Sequence, residues 1–195
     1  MTKVWEDDND RDAMRPSTLA VNLMANGTTI RSATLNAING WTATFEELPV
    51  NVDGAAIEYT WNEETVDGYE SAAATEGTTT TFTNTHTPET VTLAVNKIWV
   101  DEDNRDGMRP ASLSITLRGD DETERTVTLS EESGWSASIE VPARERGREI
   151  NYSWTEEAIA GYTSTQTVSG NTTTFTTTHE PARTTCIQFF FSSLN

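Results

Sequence analysis

Cysteine is almost missing from this 195-residue chain: Cys186 stands alone, so no disulfide can staple a fold. Basic residues are scarce as well, 13 Lys and Arg against 31 Asp and Glu, for a net charge of -18. That shortage excludes charge-driven binding to nucleic acid or to an anionic membrane surface, since both need a basic face. Membrane insertion is not expected either, because the Ile187 to Phe191 cluster is far too short to cross a bilayer. There is no secretory signal and no cell-wall sorting motif, so a secreted parent would make this a fragment. Two histidines, His86 and His179, come singly with no cysteine partner, and no metal site is expected from them. Nucleophile elbow, phosphate loop and zinc spacing are likewise missing, so neither turnover catalysis nor a cofactor is expected.

What the chain does contain is a duplication. Lys3, Trp5, Pro16 and Trp41 recur 94 residues later as Lys97, Trp99, Pro110 and Trp135. Pro49, Trp61, Tyr69 and Phe82 recur 93 later as Pro142, Trp154, Tyr162 and Phe175, so one residue is lost between Trp135 and Pro142. A period of that length suits whole domains in tandem rather than solenoid units. The expected division is a first repeat over 1–88 with a clipped first strand, a second over 89–181, and a non-native or disordered tail over 182–195. Thr87-Pro88-Glu89 is the linker. Within each copy, Leu19, Val21 and Leu23, or Leu113, Ile115 and Leu117, alternate with more polar residues as strands require. Turn pairs such as Asn26-Gly27 and Asp53-Gly54 break the runs. An all-β fold follows, two antiparallel β-sandwiches of immunoglobulin size.

Three polar groups fall on faces that this alternation assigns to the core. Leu93, Val95, Lys97 and Trp99 share a face, so a lysine stands in an apolar row; Lys3 matches it in copy one. Ile57, Tyr59, Trp61 and Glu63 share another, matched by Ile150, Tyr152, Trp154 and Glu156. Asn84 shares a face with Phe82. Burial favours the neutral forms of amines and carboxyl groups. A neutral amine beside an acid and a carboxamide is a reactive set: the amine attacks, the acid shuttles protons and ammonia leaves, giving an amide cross-link. The alternative is a plain buried ion pair. In copy two that alternative is favoured, because the position of Asn84 is held by Thr177, which has no acyl group. Asn171 lies six residues too early to replace it.

Lys3-Val4-Trp5, the acidic loop leading to Met14-Arg15-Pro16, Trp41, Leu48-Pro49, Tyr59 to Glu63, Gly68-Tyr69 and Thr83-Asn84-Thr85-His86 resemble the B-type repeat of collagen adhesins, found also in Gram-positive surface proteins and pilins. Copy two matches through Lys97-Ile98-Trp99, Asp106 to Pro110, Trp135, Tyr152 to Glu156, Gly161-Tyr162 and His179. The resemblance implies a transthyretin-like β-sandwich serving as a stalk segment of an extracellular, cell-wall-anchored protein. It also implies a self-formed Lys-Asn isopeptide bond, with Lys3 as amine, Asn84 as amide and Glu63 as catalytic acid. In copy two Lys97 and Glu156 match but Thr177 does not, so that site reads as degenerate. The partners implied are neighbouring repeats, with any host matrix or receptor ligand engaged through other domains.

Two surface signals remain. Arg118-Gly119-Asp120 is an integrin-type tripeptide at an expected hairpin tip, and it carries the rival reading of a host-ligand-binding module. The loops Asp7-Asp8-Asn9-Asp10 and Asp101-Glu102-Asp103-Asn104 lack the spacing of a twelve-residue calcium loop and read as solvated acidic loops.

Overall fold

The computed structural model describes residues 1–183; Cys186 and all but the first two residues of the expected tail lie outside them. Among the described residues there are strands and turns but no α-helix, hence none long and apolar enough to cross a membrane. The chain divides into two compact units. The first is Met1–Thr90 together with Pro142–Glu149, the second Val91–Val141 with the residues from Ile150 on.

The first unit contains β1 (Thr2–Glu6), β2 (Thr18–Ala25), β3 (Thr28–Asn36), β4 (Asn51–Val52), β5 (Ala55–Ala56), β6 (Tyr59–Glu63), β7 (Glu70–Glu76) and β8 (Thr79–Thr85). Alternation decides how they pack. On β2, Leu19, Val21 and Leu23 are buried, while Ala20, Asn22 and Met24 between them are only partly covered. Asn26 and Gly27 link β2 to β3 with φ of 49° and 79°, a pair of left-handed residues that matches the strand twist of a two-residue hairpin. One sheet runs β1-β8-β7, the other β3-β2-β6. Met1, Leu19, Val21, Leu35 and Phe82 from both sheets make the core, with Trp5, Trp41 and Trp61 packed against it.

The second unit repeats the plan with β9 (Thr90–Val100), β10 (Ser112–Gly119), β11 (Glu124–Ser130), β12 (Ser136–Pro142), β15 (Tyr152–Glu156), β16 (Thr163–Ser169) and β17 (Thr172–Thr178). The short β13 (Arg144–Glu145) and β14 (Arg148–Glu149) form a hairpin that groups with the first unit. Its sheets run β12-β9-β17-β16 and β11-β10-β15, around Val95, Ile115, Leu117, Leu129, Val141, Trp154 and Phe175.

The sheets are not purely antiparallel, as the sequence led us to expect. In each unit the first and last strands lie side by side and parallel, β1 with β8 and β9 with β17. They can do so because the whole domain intervenes between them, and a parallel pair needs a long connection. Force applied at the two ends of such a unit therefore pulls its first and last strands past each other and loads their hydrogen bonds in shear.

Candidate functional site

The parallel pairing places the expected site residues. On β1, Lys3 is opposite Phe82 of β8, and Trp5 opposite Asn84. Paired residues point to the same side of a sheet, so Lys3 and Asn84 share the inner face one pleat apart. Lys3 is 5% exposed although its neighbour Val4 is 38% exposed, an inversion of the usual preference that marks the lysine as deliberately inward. Glu63, at the end of β6 in the facing sheet, brings Oε2 to 3.3 Å from Lys3 Nζ with both side chains sealed from solvent. That contact is an ion pair rather than an aligned hydrogen bond, for Glu63 Oε2 has no hydrogen-bond partner among the described residues. The amine instead donates to the carbonyls of Val4 and Phe82 at 3.2 and 3.3 Å and lies 4.6 Å from the Trp5 ring centre. Burial pushes the Lys3 amine below its ordinary pKa, partly opposed by Glu63.

Asn84 is 1% exposed, and neither its amide oxygen nor its amide nitrogen has a hydrogen-bond partner among the described residues. An unpaired buried amide is costly, commonly by about 1–3 kcal/mol for each group left unsatisfied. Among the described residues no other buried side chain carries such a defect twice.

Repeat two resolves the same geometry differently. Lys97 is opposite Phe175 and Thr177 opposite Trp99, so the register is unchanged. Lys97 Nζ donates to Glu156 Oε1 and to Thr177 Oγ1. The Thr177 hydroxyl donates to Ser164 Oγ at 3.0 Å, and the Ser164 hydroxyl donates to Glu156 Oε2 at 2.8 Å. Amine, two hydroxyls and carboxylate thus close a ring of bonds with consistent donor directions. Burial again pushes the lysine down, opposed by Glu156. Asn171, set aside on spacing, donates its side-chain amide to the Thr92 carbonyl at 3.2 Å.

Two members of these sites were not singled out from sequence. Ser164 has its counterpart in Ser71, which donates to Glu63 Oε1 at 3.3 Å and pairs with Asn84 in the β7–β8 ladder. Their signal was available, a serine recurring at the 93-residue offset, but a serine on a Thr- and Ser-rich strand does not stand out.

The acidic loops are only partly solvated, which corrects their reading from sequence. Asp7 and Asp101 are each 2% exposed. Asp101 accepts two bonds from Arg109, at 2.6 and 3.1 Å, and one from the Tyr162 hydroxyl at 3.0 Å; Asp7 does the same with Arg15 and Tyr69. The Arg109 guanidinium, against the opposing push of burial, holds the Asp101 carboxyl at about 2. Sequence shows the charges but not that an arginine eight residues on folds back to take them. Farther along each loop, His86 Nε2 meets Asp12 at 2.9 Å and Nδ1 meets the Gly68 carbonyl at 2.8 Å; His179 makes the equivalent contacts to Asp106 and Gly161. Both ring nitrogens face acceptors, an arrangement that favours the doubly protonated ring over the neutral one. The bond to Asp12, with Gly68 behind it, raises the pKa of His86.

Arg118, Gly119 and Asp120 lie where β10 turns toward β11. Arg118 pairs with Glu124 at 3.2 Å, and both Asp120 oxygens accept bonds from Asn151, at 3.1 and 3.0 Å.

Residues 1–85 and 93–178 each match the family model described as the Cna protein B-type domain. A collagen adhesin of Staphylococcus aureus is 34% identical over 188 residues, covering 94% of this chain; the chain spans only 16% of that protein. The crystal structure of two B repeat units of the collagen binding protein of S. aureus superposes with a TM-score of 0.80 at 32% identity, over 91% of this chain and 48% of that one.

Proposed function

The chain belongs to the Cna protein B-type domain family, and from that premise we propose that it is a stalk segment of a Gram-positive surface protein whose first repeat cross-links itself. Its two repeats, matched over 1–85 and 93–178, are structural modules rather than enzymes. The finer reading is extracellular placement on a cell-wall-anchored adhesin, with neighbouring repeats as partners.

One observation carries the cross-link: a fully buried, unbonded Asn84 amide shares the inner face with a pKa-lowered Lys3 that is paired to Glu63. Repeat two supports the reach, because Lys97 contacts the side chain that occupies the register position of Asn84. In the reaction the Lys3 amine attacks Asn84 Cγ, forming an Nζ–Cγ bond. Glu63 takes a proton from the attacking nitrogen and returns it to the leaving amide nitrogen, and the Cγ–Nδ2 bond breaks. Lysine and asparagine side chains become one secondary amide plus ammonia, once per molecule. The bond joins the two strands that bear tension, so it carries load past the sheared ladder.

Intact mass tests this. The parent chain is expected to be lighter than its sequence by one ammonia, and the Glu63→Ala and Asn84→Ala variants to show no such loss. A parent at full sequence mass refutes the cross-link. The rival reading, host-ligand capture by Arg118-Gly119-Asp120, has less support because the Asp120 carboxylate is already bound by Asn151.

A further inference from the structure

Of the groups gathered around Asn84, Ser71 has no part in the reaction written above. The Lys3 and Glu63 side chains and the Asn84 amide are sealed from solvent. Ser71 is exposed, on β7 at the edge of its sheet, so it stands between the site and the solvent.

The fold fixes where its side chain points. Ser71 is directly opposite Asn84 in the β7–β8 ladder, so the two side chains lie on the same side of the sheet with their Cβ atoms about 5 Å apart. Across the sandwich the Ser71 hydroxyl donates to Glu63 Oε1 at 3.3 Å. The other oxygen, Oε2, faces Lys3 Nζ at 3.3 Å and accepts no hydrogen bond among the described residues. A carboxylate held by one oxygen keeps the other aimed, so the hydroxyl leaves a free lone pair of Oε2 directed at the amine that must lose a proton.

Repeat two shows a second contact within reach of the same serine. Ser164, its counterpart 93 residues on, donates to Glu156 Oε2 at 2.8 Å and accepts a bond at 3.0 Å from Thr177 Oγ1. Thr177 holds the register position of Asn84. A serine hydroxyl has one proton to give and two lone pairs to receive, so the two contacts are compatible. In repeat one the matching donor is an Asn84 amide N–H, which has no partner among the described residues.

We propose that Ser71 is a positioning residue for the cross-link: its hydroxyl holds Glu63 by Oε1 and accepts an Asn84 amide N–H as the amine approaches. The inference rests on the cross-link reading given above. Accepting that N–H turns the leaving nitrogen toward β7 and leaves Cγ open to Lys3. Ammonia then departs on the exposed side of the site rather than through the core. The hydroxyl keeps its proton throughout, and the bonds made and broken remain those at Nζ and Cγ.

The test separates the hydroxyl from the shape that carries it. Threonine and valine are nearly the same shape and both suit a strand, but only threonine keeps the hydroxyl. The full chain, recovered insoluble and held unfolded and unreacted in urea, is diluted into neutral buffer. Folding is followed by tryptophan emission and ammonia loss by intact mass against time. Ser71→Val is expected to fold at the parent's rate and to cross-link at least about tenfold more slowly, with Ser71→Thr within about threefold of the parent. Cross-linking of Ser71→Val at the parent's rate overturns the inference. Equal slowing by threonine and valine overturns it too, because shape would then be the cause. Should valine impair folding, Ser71→Ala takes its place under the same criteria. A parent that folds without losing ammonia refutes the cross-link itself, and the role of Ser71 with it.

Discussion

Repeat two is poised to gain the reaction proposed for repeat one. Thr177→Asn puts a carboxamide where Lys97 Nζ already makes contact, beside Glu156 and with Ser164 across the ladder as Ser71 is across from Asn84. Thr177 is fully buried, but the same register position in repeat one accepts asparagine at 1% exposure, so the substitution fits the fold. The new bond would close a loop spanning the 80 positions between Lys97 and residue 177. Restricting the unfolded chain to that extent stabilises by about 4 kcal/mol on the chain-entropy model. For a domain of this size each kcal/mol moves Tm by about 4–8 °C, so the second repeat should melt roughly 20 °C higher. The assay is intact mass together with a thermal scan. One more ammonia should be lost than in the parent, and none beyond the parent's when Glu156→Ala is added. A folded Thr177→Asn protein that loses no additional ammonia would refute the claim that reach and an acid partner suffice.

Two further outcomes follow from the buried charges. Lys97→Ala strips the cation from a carboxylate whose side chain is 4% exposed, and it should destabilise the second repeat by about 3–5 kcal/mol in urea unfolding. Pairing Lys97→Met with Glu156→Leu should recover most of that, and a single variant as stable as the parent would contradict a buried pair. Asp101 gives the acid limb: its carboxyl sits at about 2 when folded against an ordinary 3.8, so the folded state resists protonation. Its contribution, about 2 kcal/mol, is fully present above roughly pH 4 and is lost as pH falls through about 2. Asp101→Asn should lower stability at neutral pH by a similar amount and flatten the acid side of the stability profile, read by urea midpoints across pH; an unchanged profile would assign the acid limb to other groups.

Alternation made much of this molecule legible, because the direction of a side chain from a strand is a local property. Lys97 between Val95 and Trp99, Glu156 beyond Trp154 and the two-residue turn at Asn26-Gly27 all stand where the pattern put them. The same holds for the inward faces of Lys3, Glu63 and Asn84. The acidic loop was misjudged for a related reason: spacing shows that Asp7 and Asp101 are charged, but burial against an arginine eight residues on depends on how the loop turns back.

The sequence by itself determined two all-β repeats, a lysine and a glutamate facing each core, and an asparagine present in one copy and replaced by threonine in the other. Only the tertiary structure decided that first and last strands run parallel as neighbours, and that Ser164 and Thr177 close a hydrogen-bonded ring around Lys97 while Asn84 is left unbonded. Face and turn are set by residues within a few positions of one another. Register and ring depend on segments some 80 residues apart in the chain meeting in space, and no local pattern encodes that meeting.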